Sequence, residues 1–247
     1  MIIKLIVIVV IILVLILLYV YFKYKKNFVN NKVYKYHQIR NKLKTGDIIL
    51  FSCKEYENFI EELKYYARTT LLGSEYGHVG IIIKDNNKLY VLECISKEHA
   101  GNEYTSHFNK KGDGGVRIID LDILLKEYCN YHKGMYAVKF INQEIPNKTI
   151  FNKLKKYKDM TFEHKSIILT VAFIDICISH NLAVNISNFL SSKDKIFCSE
   201  FVHDLLNNCG VLKNYPSKLF WPHMIDNDQF KDFHNDYYSD LYQFTYN

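Results

Sequence analysis

The chain has 247 residues, 49% of them hydrophobic and 23% charged, which is enough to bury a substantial core. Its formal net charge is +6, and the lysines are scattered apart from two clusters at 23–26 and 153–158. Neither cluster accompanies a nucleic-acid-binding motif or a glycine-rich phosphate loop, so the sequence predicts neither nucleic-acid nor nucleotide binding. The six cysteines include no closely spaced ligand pair, and no metal or other cofactor is expected.

An uninterrupted apolar run occupies residues 5–22 and is long enough to span a bilayer as a helix. A signal peptide would have a shorter hydrophobic region followed by a small-residue cleavage site, whereas this run ends in aromatic residues and lysines. Residues 1–26 are therefore predicted to be a retained transmembrane anchor. Because the positive charge is heavier after the run than before it, the positive-inside rule places the following domain on the cytoplasmic side.

Residues 27–44 are predicted to be a polar linker that leads into a short helix. After it, the periodicity of the apolar residues predicts short strands alternating with helices. The predicted strands are 48–51, 76–83, 89–95, 116–119 and 136–140, and the predicted helices are 55–72, 120–129, 147–160 and 196–211. The polar, glycine-containing loop 97–115 is the candidate flexible lid. The acidic, aromatic tail 226–247 is expected to pack onto the domain surface, in part as a short helix.

Residues 166–190 are apolar enough to raise the question of a second membrane span. Asp175, His180 and several asparagines interrupt the segment, and each would be costly in hydrocarbon. The prediction is therefore a buried helix that covers the sheet, followed by a loop.

The predicted helix 196–211 begins close to a cysteine. Apolar residues recur in it at helical spacing, and Gly210 follows as a C-terminal stop. Cys198 then lies in the first turn, where exposed backbone N–H groups and the helix dipole stabilise a thiolate. A thiol in that position is a candidate nucleophile, provided that a histidine reaches it.

His78 is the candidate partner because it begins a strand that is otherwise nearly apolar. If residues 86–87 form a two-residue hairpin loop, the antiparallel register sets Gly80 opposite Glu93. His78 and Glu93 are then diagonal neighbours on one face, roughly 7–8 Å apart at Cα, with no side chain at Gly80 to separate them. A triad follows in which Cys198 is the nucleophile, His78 the general base and Glu93 the group that orients the imidazole. The competing interpretation is a core cysteine, a capping histidine and a surface glutamate.

Four segments, 45–51, 77–81, 90–93 and 197–202, resemble the circularly permuted papain-like amidohydrolases. These form the permuted branch of the NlpC-type superfamily, which includes bacterial YiiX-like proteins and members in poxviruses and other large DNA viruses. The resemblance implies an α+β fold, a permuted papain-like domain over 45–225 with a small antiparallel sheet or half-barrel packed against helices. It also implies that Cys198, His78 and Glu93 correspond to the catalytic residues.

The expected function is that of a membrane-anchored cysteine amidohydrolase or peptidase, in a virion or a host membrane, which cleaves an amide or isopeptide bond through an acyl-enzyme. Its expected partners are the membrane and a peptide, amide or lipid substrate. Tyr76, just before the histidine strand, is a candidate substrate-binding residue, and ordinary aromatic packing is the competing interpretation. Two other functions remain open. One is a lipid acyl hydrolase or acyltransferase, since lecithin:retinol acyltransferase relatives share the superfamily fold, and the other is a catalytically silent viral membrane protein.

Overall fold

The computed structural model describes residues 32–52, 74–96, 114–132, 135–190 and 192–246, together with Leu15 and Thr69. Apart from those two single residues, the apolar run 5–22 of the predicted anchor, the predicted helix 55–72 and nearly all of the loop 97–115 lie outside the described residues. Within the described part of the chain, no helix is both long enough and apolar enough to cross a bilayer.

Seven strands form one sheet in the order β1-β9-β6-β2-β3-β4-β5. Every pair of neighbouring strands in it is antiparallel except β1 and β9, which are parallel. They are β1 Val33–Lys35, β2 Ile48–Phe51, β3 His78–Asp85, β4 Lys88–Ile95, β5 Gly115–Asp120, β6 Tyr136–Ile141 and β9 Tyr238–Thr245. Two further strands, β7 Thr161–Phe162 and β8 Lys195–Ile196, form a separate parallel pair. The predicted mixed α+β fold with a largely antiparallel sheet is confirmed.

The described part of the chain forms seven α-helices, some of which cover the two faces of this sheet. They are α1 Tyr36–Ile39, α2 Leu121–His132, α3 Asn147–Leu154, α4 Lys165–Cys177, α5 His180–Leu190, α6 Cys198–Asn208 and α7 Pro222–Asp226. Because successive strand residues point to opposite faces, Ile81 and Ile83 of β3 pack in the core shared with α3 and α6, whereas Ile82 packs in the core shared with α1 and α2.

The β3–β4 hairpin has the register that the sequence predicts. Gly80 pairs with Glu93, and the loop at Asn86 and Asn87 connects the strands. Asn86 adopts a φ of 55°, a conformation that asparagine tolerates better than most residues. At Gly80 the strands leave no room for a side chain, because a Cβ atom there would lie 2.6 Å from Cγ1 of Val91 and 3.4 Å from Cβ of Glu93.

The segment 166–190 differs from its prediction of one helix followed by a loop. It forms two antiparallel helices, α4 and α5, and the second is a helix because Ala183 and Ser187 recur at helical spacing on its buried side. The hairpin packs mainly on its own apolar cluster with Phe197 and Trp221, away from the sheet. Asp175 is tolerated in α4 because its carboxylate accepts a hydrogen bond from Nε1 of Trp221 at 2.6 Å.

Both ends of the described chain belong to the sheet. The prediction of a surface tail over 226–247 is wrong for β9, which lies between β1 and β6 and buries Phe244 completely. A short 3-10 helix at Asp228–Phe233 precedes it. In the predicted linker the expected short helix is present as α1, and Ile39 and Leu43 contribute to the core. Local patterns did not reveal these strands because their pairing partners are remote in sequence.

We expect Gly80→Ala to lower the free energy of unfolding by about 1–3 kcal/mol, because the new methyl group overpacks the hairpin. The nearest atom belongs to Val91. Val91→Ala removes that atom, so the double variant should be more stable than the sum of the two single changes predicts. Denaturant unfolding of the four proteins measures this coupling, and additive effects would contradict the assigned packing.

Candidate active site

Helix α6 places Cys198 in its first turn. The preceding residue, Phe197, is extended with φ −115° and ψ 173°, and its backbone N–H donates to the Glu200 carboxylate at 3.4 Å. The Phe197 ring stacks on Trp221 with centroids 5.4 Å apart. These contacts determine how the chain enters the helix, and the N–H groups of its first turn have no carbonyl partner within the helix. Cys198 is 8% exposed.

The N-terminus of α6 lies against the hairpin of β3 and β4. Cys94 of β4 donates its thiol hydrogen to the carbonyl of Ile196 at 3.4 Å, which ties the segment before the helix to the strand. His78 is the first residue of β3 and therefore stands at the end of the sheet. There the Cys198 thiol is close enough to the His78 imidazole to form a side-chain hydrogen bond.

His78 is held from its other side by Glu93. The His78 Nε2 atom lies 2.6 Å from Oε2 of Glu93, whose side chain is completely buried. This contact leaves Nδ1 as the ring nitrogen available to the thiol. The Phe51 ring packs beside the imidazole with centroids 5.5 Å apart, which further restricts its orientation.

Arg117 of β5 completes the arrangement, and the sequence prediction did not include it. Its Nε donates to Oε1 of Glu93 at 2.7 Å, and its Nη2 lies 2.6 Å from the same oxygen. In the sheet Arg117 is the direct partner of Glu93. An arginine within the apolar sequence 116–119 was a usable signal, but the pairing of β4 with β5 follows a long loop whose register no turn motif specifies.

The charges of this cluster shift the protonation of both His78 and Glu93. Burial by itself lowers the pKa of His78, but the Glu93 carboxylate and hydrogen bonds to Cys198 and Glu93 outweigh it and raise the pKa to about 10. Burial raises the pKa of Glu93, but the charges of Arg117 and His78 and their hydrogen bonds lower it to about 2. At neutral pH the imidazole is therefore protonated and the carboxylate ionised.

Two other cysteines near this region are less favoured as nucleophiles. Burial, together with the neighbouring Cys198 and two carboxylates, raises the pKa of Cys94 well above its usual range. Burial also raises the pKa of Cys209, at the other end of α6. Since the thiolate is the reactive form, neither thiol is favoured as a nucleophile at neutral pH.

Tyr76 lies just before β3, and its side chain is buried, with 3% exposure, in the core that α6 covers. Its hydroxyl accepts a hydrogen bond of 3.0 Å from Nε2 of Gln243 in β9. A role for Tyr76 in substrate binding stays a prediction. Over the ranges that the structure describes, no three histidine, cysteine, aspartate or glutamate side chains are grouped so as to hold a metal ion.

The His78–Glu93 pair predicts a pH dependence of stability. The pKa of His78 is raised from 6.5 to about 10, so its contribution is complete below pH 6.5 and is lost as the pH rises towards 10. The pKa of Glu93 is lowered from 4.5 to about 2, so its contribution is complete above pH 4.5 and is lost as the pH falls towards 2.

We therefore expect the difference in free energy of unfolding between wild type and Glu93→Gln to be largest between pH 4.5 and 6.5. Urea unfolding over a pH series measures it. Asp194→Asn, an exposed carboxylate replacement before β8, is the control and should show no comparable maximum. A difference for Glu93→Gln that does not change with pH would contradict the ion pair.

Comparisons with known proteins give a relative of similar length and a distant structural likeness. No family model matches the chain. The crystal structure of metalloprotein YiiX from Escherichia coli O157:H7 is 18% identical with a TM-score of 0.39, and the match covers 67% of this chain and 66% of that one. Uncharacterized protein R372 of Acanthamoeba polyphaga mimivirus is 44% identical over 230 residues, which are 93% of this chain and 92% of that protein. The chain therefore belongs to the same family as this mimivirus protein.

Proposed function

We propose that the protein is a cysteine hydrolase that cleaves an amide or isopeptide bond through a triad of Cys198, His78 and Glu93. The observation that carries this proposal is the position of His78, whose Nε2 lies 2.6 Å from the Glu93 carboxylate and whose side chain is also within hydrogen-bonding reach of the Cys198 thiol. The three groups that a thiol hydrolase needs, which are a nucleophile, a base and a group that orients the base, are therefore neighbours. A histidine that only capped a strand would need neither a buried carboxylate nor a thiol at a helix N-terminus.

The nucleophile in this reaction is the thiolate form of Cys198, which acts beside the protonated imidazole of His78. The sulfur of Cys198 attacks the carbonyl carbon and forms a C–S bond, while the carbonyl electron pair moves to oxygen. When the C–N bond breaks, His78 donates its proton to the leaving amine. His78 then takes a proton from water, whose oxygen attacks the thioester, and the C–S bond breaks to release the acid and restore the thiolate.

The first turn of α6 supports the transition state. Its backbone N–H groups have no acceptor within the helix and point towards the helix N-terminus, where the negative oxygen of the tetrahedral intermediate would lie near Cys198. The positive end of the helix dipole acts in the same direction. Burial raises the pKa of Glu200 to about 7, so this turn carries less negative charge near neutral pH than its sequence implies.

Arg117 is a positioning residue in this scheme. It binds the Glu93 oxygen that His78 leaves unused, and it keeps Glu93 ionised inside the protein. The ionised carboxylate holds the imidazole by Nε2 and so presents Nδ1 to Cys198. We place this chemistry at a membrane, because residues 5–22 are predicted to anchor the chain.

We expect the wild-type protein to be labelled at one cysteine by a thiol-directed acyl probe near neutral pH, and Cys198→Ala to lose that labelling. Intact-mass measurement of the full chain detects the adduct. Cys209→Ser is the matched control, because Cys209 directly follows the last residue of the same helix and the pKa of its thiol is raised. This variant should be labelled like wild type. Labelling of Cys198→Ala at the wild-type rate would rule the proposal out.

A lipid acyl hydrolase or acyltransferase is the second candidate, and the α4–α5 hairpin favours it. This hairpin exposes several large apolar side chains and shares its cluster with Phe197, the residue before Cys198. An acyl chain presented at that surface would approach the thiol. The chemistry is the same except that the bond broken is an ester and the leaving group an alcohol.

We expect the two candidates to differ when the full chain is incubated with mixed phospholipid vesicles. Release of fatty acid, or an intact-mass increase at Cys198 equal to a fatty acyl group, would support the lipid function. Cys198→Ala should abolish either signal. An enzyme that is labelled by the acyl probe but neither releases nor carries a fatty acyl group would be assigned to amide substrates.

A further inference from the structure

The outer side of the α4–α5 hairpin carries large apolar residues that are exposed in the part of the chain that the structure describes. We call Leu169, Ile178, Leu182, Phe189 and Leu190 the hairpin surface; they are 41%, 60%, 42%, 87% and 39% exposed. Leu182 and Phe189 are two helical turns apart and so share one side of α5. Leu169 lies in the first half of α4, Ile178 lies between the two helices, and Phe189 lies near the end of α5. These residues therefore extend along the hairpin and are not confined to its tip.

The hairpin is also poor in charge. After Lys165, the ionisable groups of α4 and α5 include Asp175 and His180, which bind each other at 2.8 Å. Asp175 also accepts the Trp221 indole hydrogen, so its charge is satisfied inside the protein. The other polar residues exposed on α5 are asparagines, which have no charge to desolvate. If this side of the hairpin faced water, we would expect lysine or glutamate at its exposed positions.

We propose that this hairpin docks the domain on the surface of a lipid bilayer that contains anionic phospholipid. Helix α4 has 13 residues and α5 has 11, so each is shorter than the roughly 20 residues that a spanning helix requires. The hairpin therefore lies in the interfacial region with its apolar side chains towards the acyl chains. The segment that follows α5 carries an exposed Lys193 and a half-buried Lys195 with the exposed Asp194 between them, so its charged side chains are more basic than acidic and would be attracted to anionic headgroups.

A bilayer is the occupant that the rest of the chain favours. Apart from Leu15, the described residues begin at Lys32, ten residues after the apolar run of the predicted anchor ends at Phe22, and ten residues extend at most about 35 Å. The tether keeps the domain beside the membrane, where the high effective concentration of lipid favours even a weak second contact. Docking is a binding event and does not depend on catalysis by Cys198.

The test uses the full chain in phosphatidylcholine vesicles with a minority of phosphatidylserine, whose acyl chains are either unlabelled or brominated. The chain has one tryptophan, Trp221, so an added tryptophan is measured as the difference from the parent protein. Phe189→Trp places it on the hairpin surface. Ile123→Trp is the matched control, because Ile123 is 49% exposed on α2, which packs on the other face of the sheet. Both variants keep the predicted anchor.

We expect brominated lipid to quench the tryptophan added by Phe189→Trp several-fold more strongly than the one added by Ile123→Trp. Combining Phe189→Trp with Leu182→Asp should reduce quenching to the control level, whereas combining it with Ile123→Asp should not. Emission from Trp221 reports that each variant is folded. Equal quenching at the two positions would overturn the proposal. So would a lipid-independent blue shift at position 189 that grows with protein concentration, because a second copy of the chain would then cover the surface.

Discussion

The buried carboxylate of Glu93 is the group on which the candidate site depends. An isolated ionised carboxylate in a protein interior is costly, and here two cations compensate it, Arg117 through one oxygen and His78 through the other. With both partners protonated the cluster carries a net positive charge beside Cys198.

The same carboxylate accounts for several features of the sheet. Glu93 lies on β4 between His78 on β3 and Arg117 on β5, so its two ionic contacts join β4 to both of its neighbouring strands. Gly80 is required opposite it, because a Cβ atom there would lie 2.6 Å from Cγ1 of Val91 and 3.4 Å from Cβ of Glu93. A one-residue shift of either neighbouring strand would turn its partner to the opposite face, so the cluster is compatible with one register only.

How much could be predicted from the sequence depended on the distance between interacting residues. The turn at 86–87 is local, and it determined the β3–β4 register and hence the proximity of His78 to Glu93. The helix that begins at Cys198 was visible from its own periodicity. Arg117 was missed because it follows Glu93 across a long loop, and β9 was missed because it pairs with β6, about a hundred residues earlier. Neither pairing can be recognised from a short stretch of consecutive residues.

Residues 166–190 are ambiguous in sequence because two requirements act on them at once. The inner side of the hairpin must bury Ala172 and Ala183 in the cluster that holds Phe197 and Trp221, whereas its outer side is apolar as well. Internal packing explains the first requirement, but stability in water would favour polar residues for the second. Phe197 lies in that cluster and directly precedes Cys198, so the hairpin connects the proposed membrane contact to the helix that carries the thiol. That connection favours a substrate held at the membrane, such as an acylated peptide or a lipid, over one that diffuses in water.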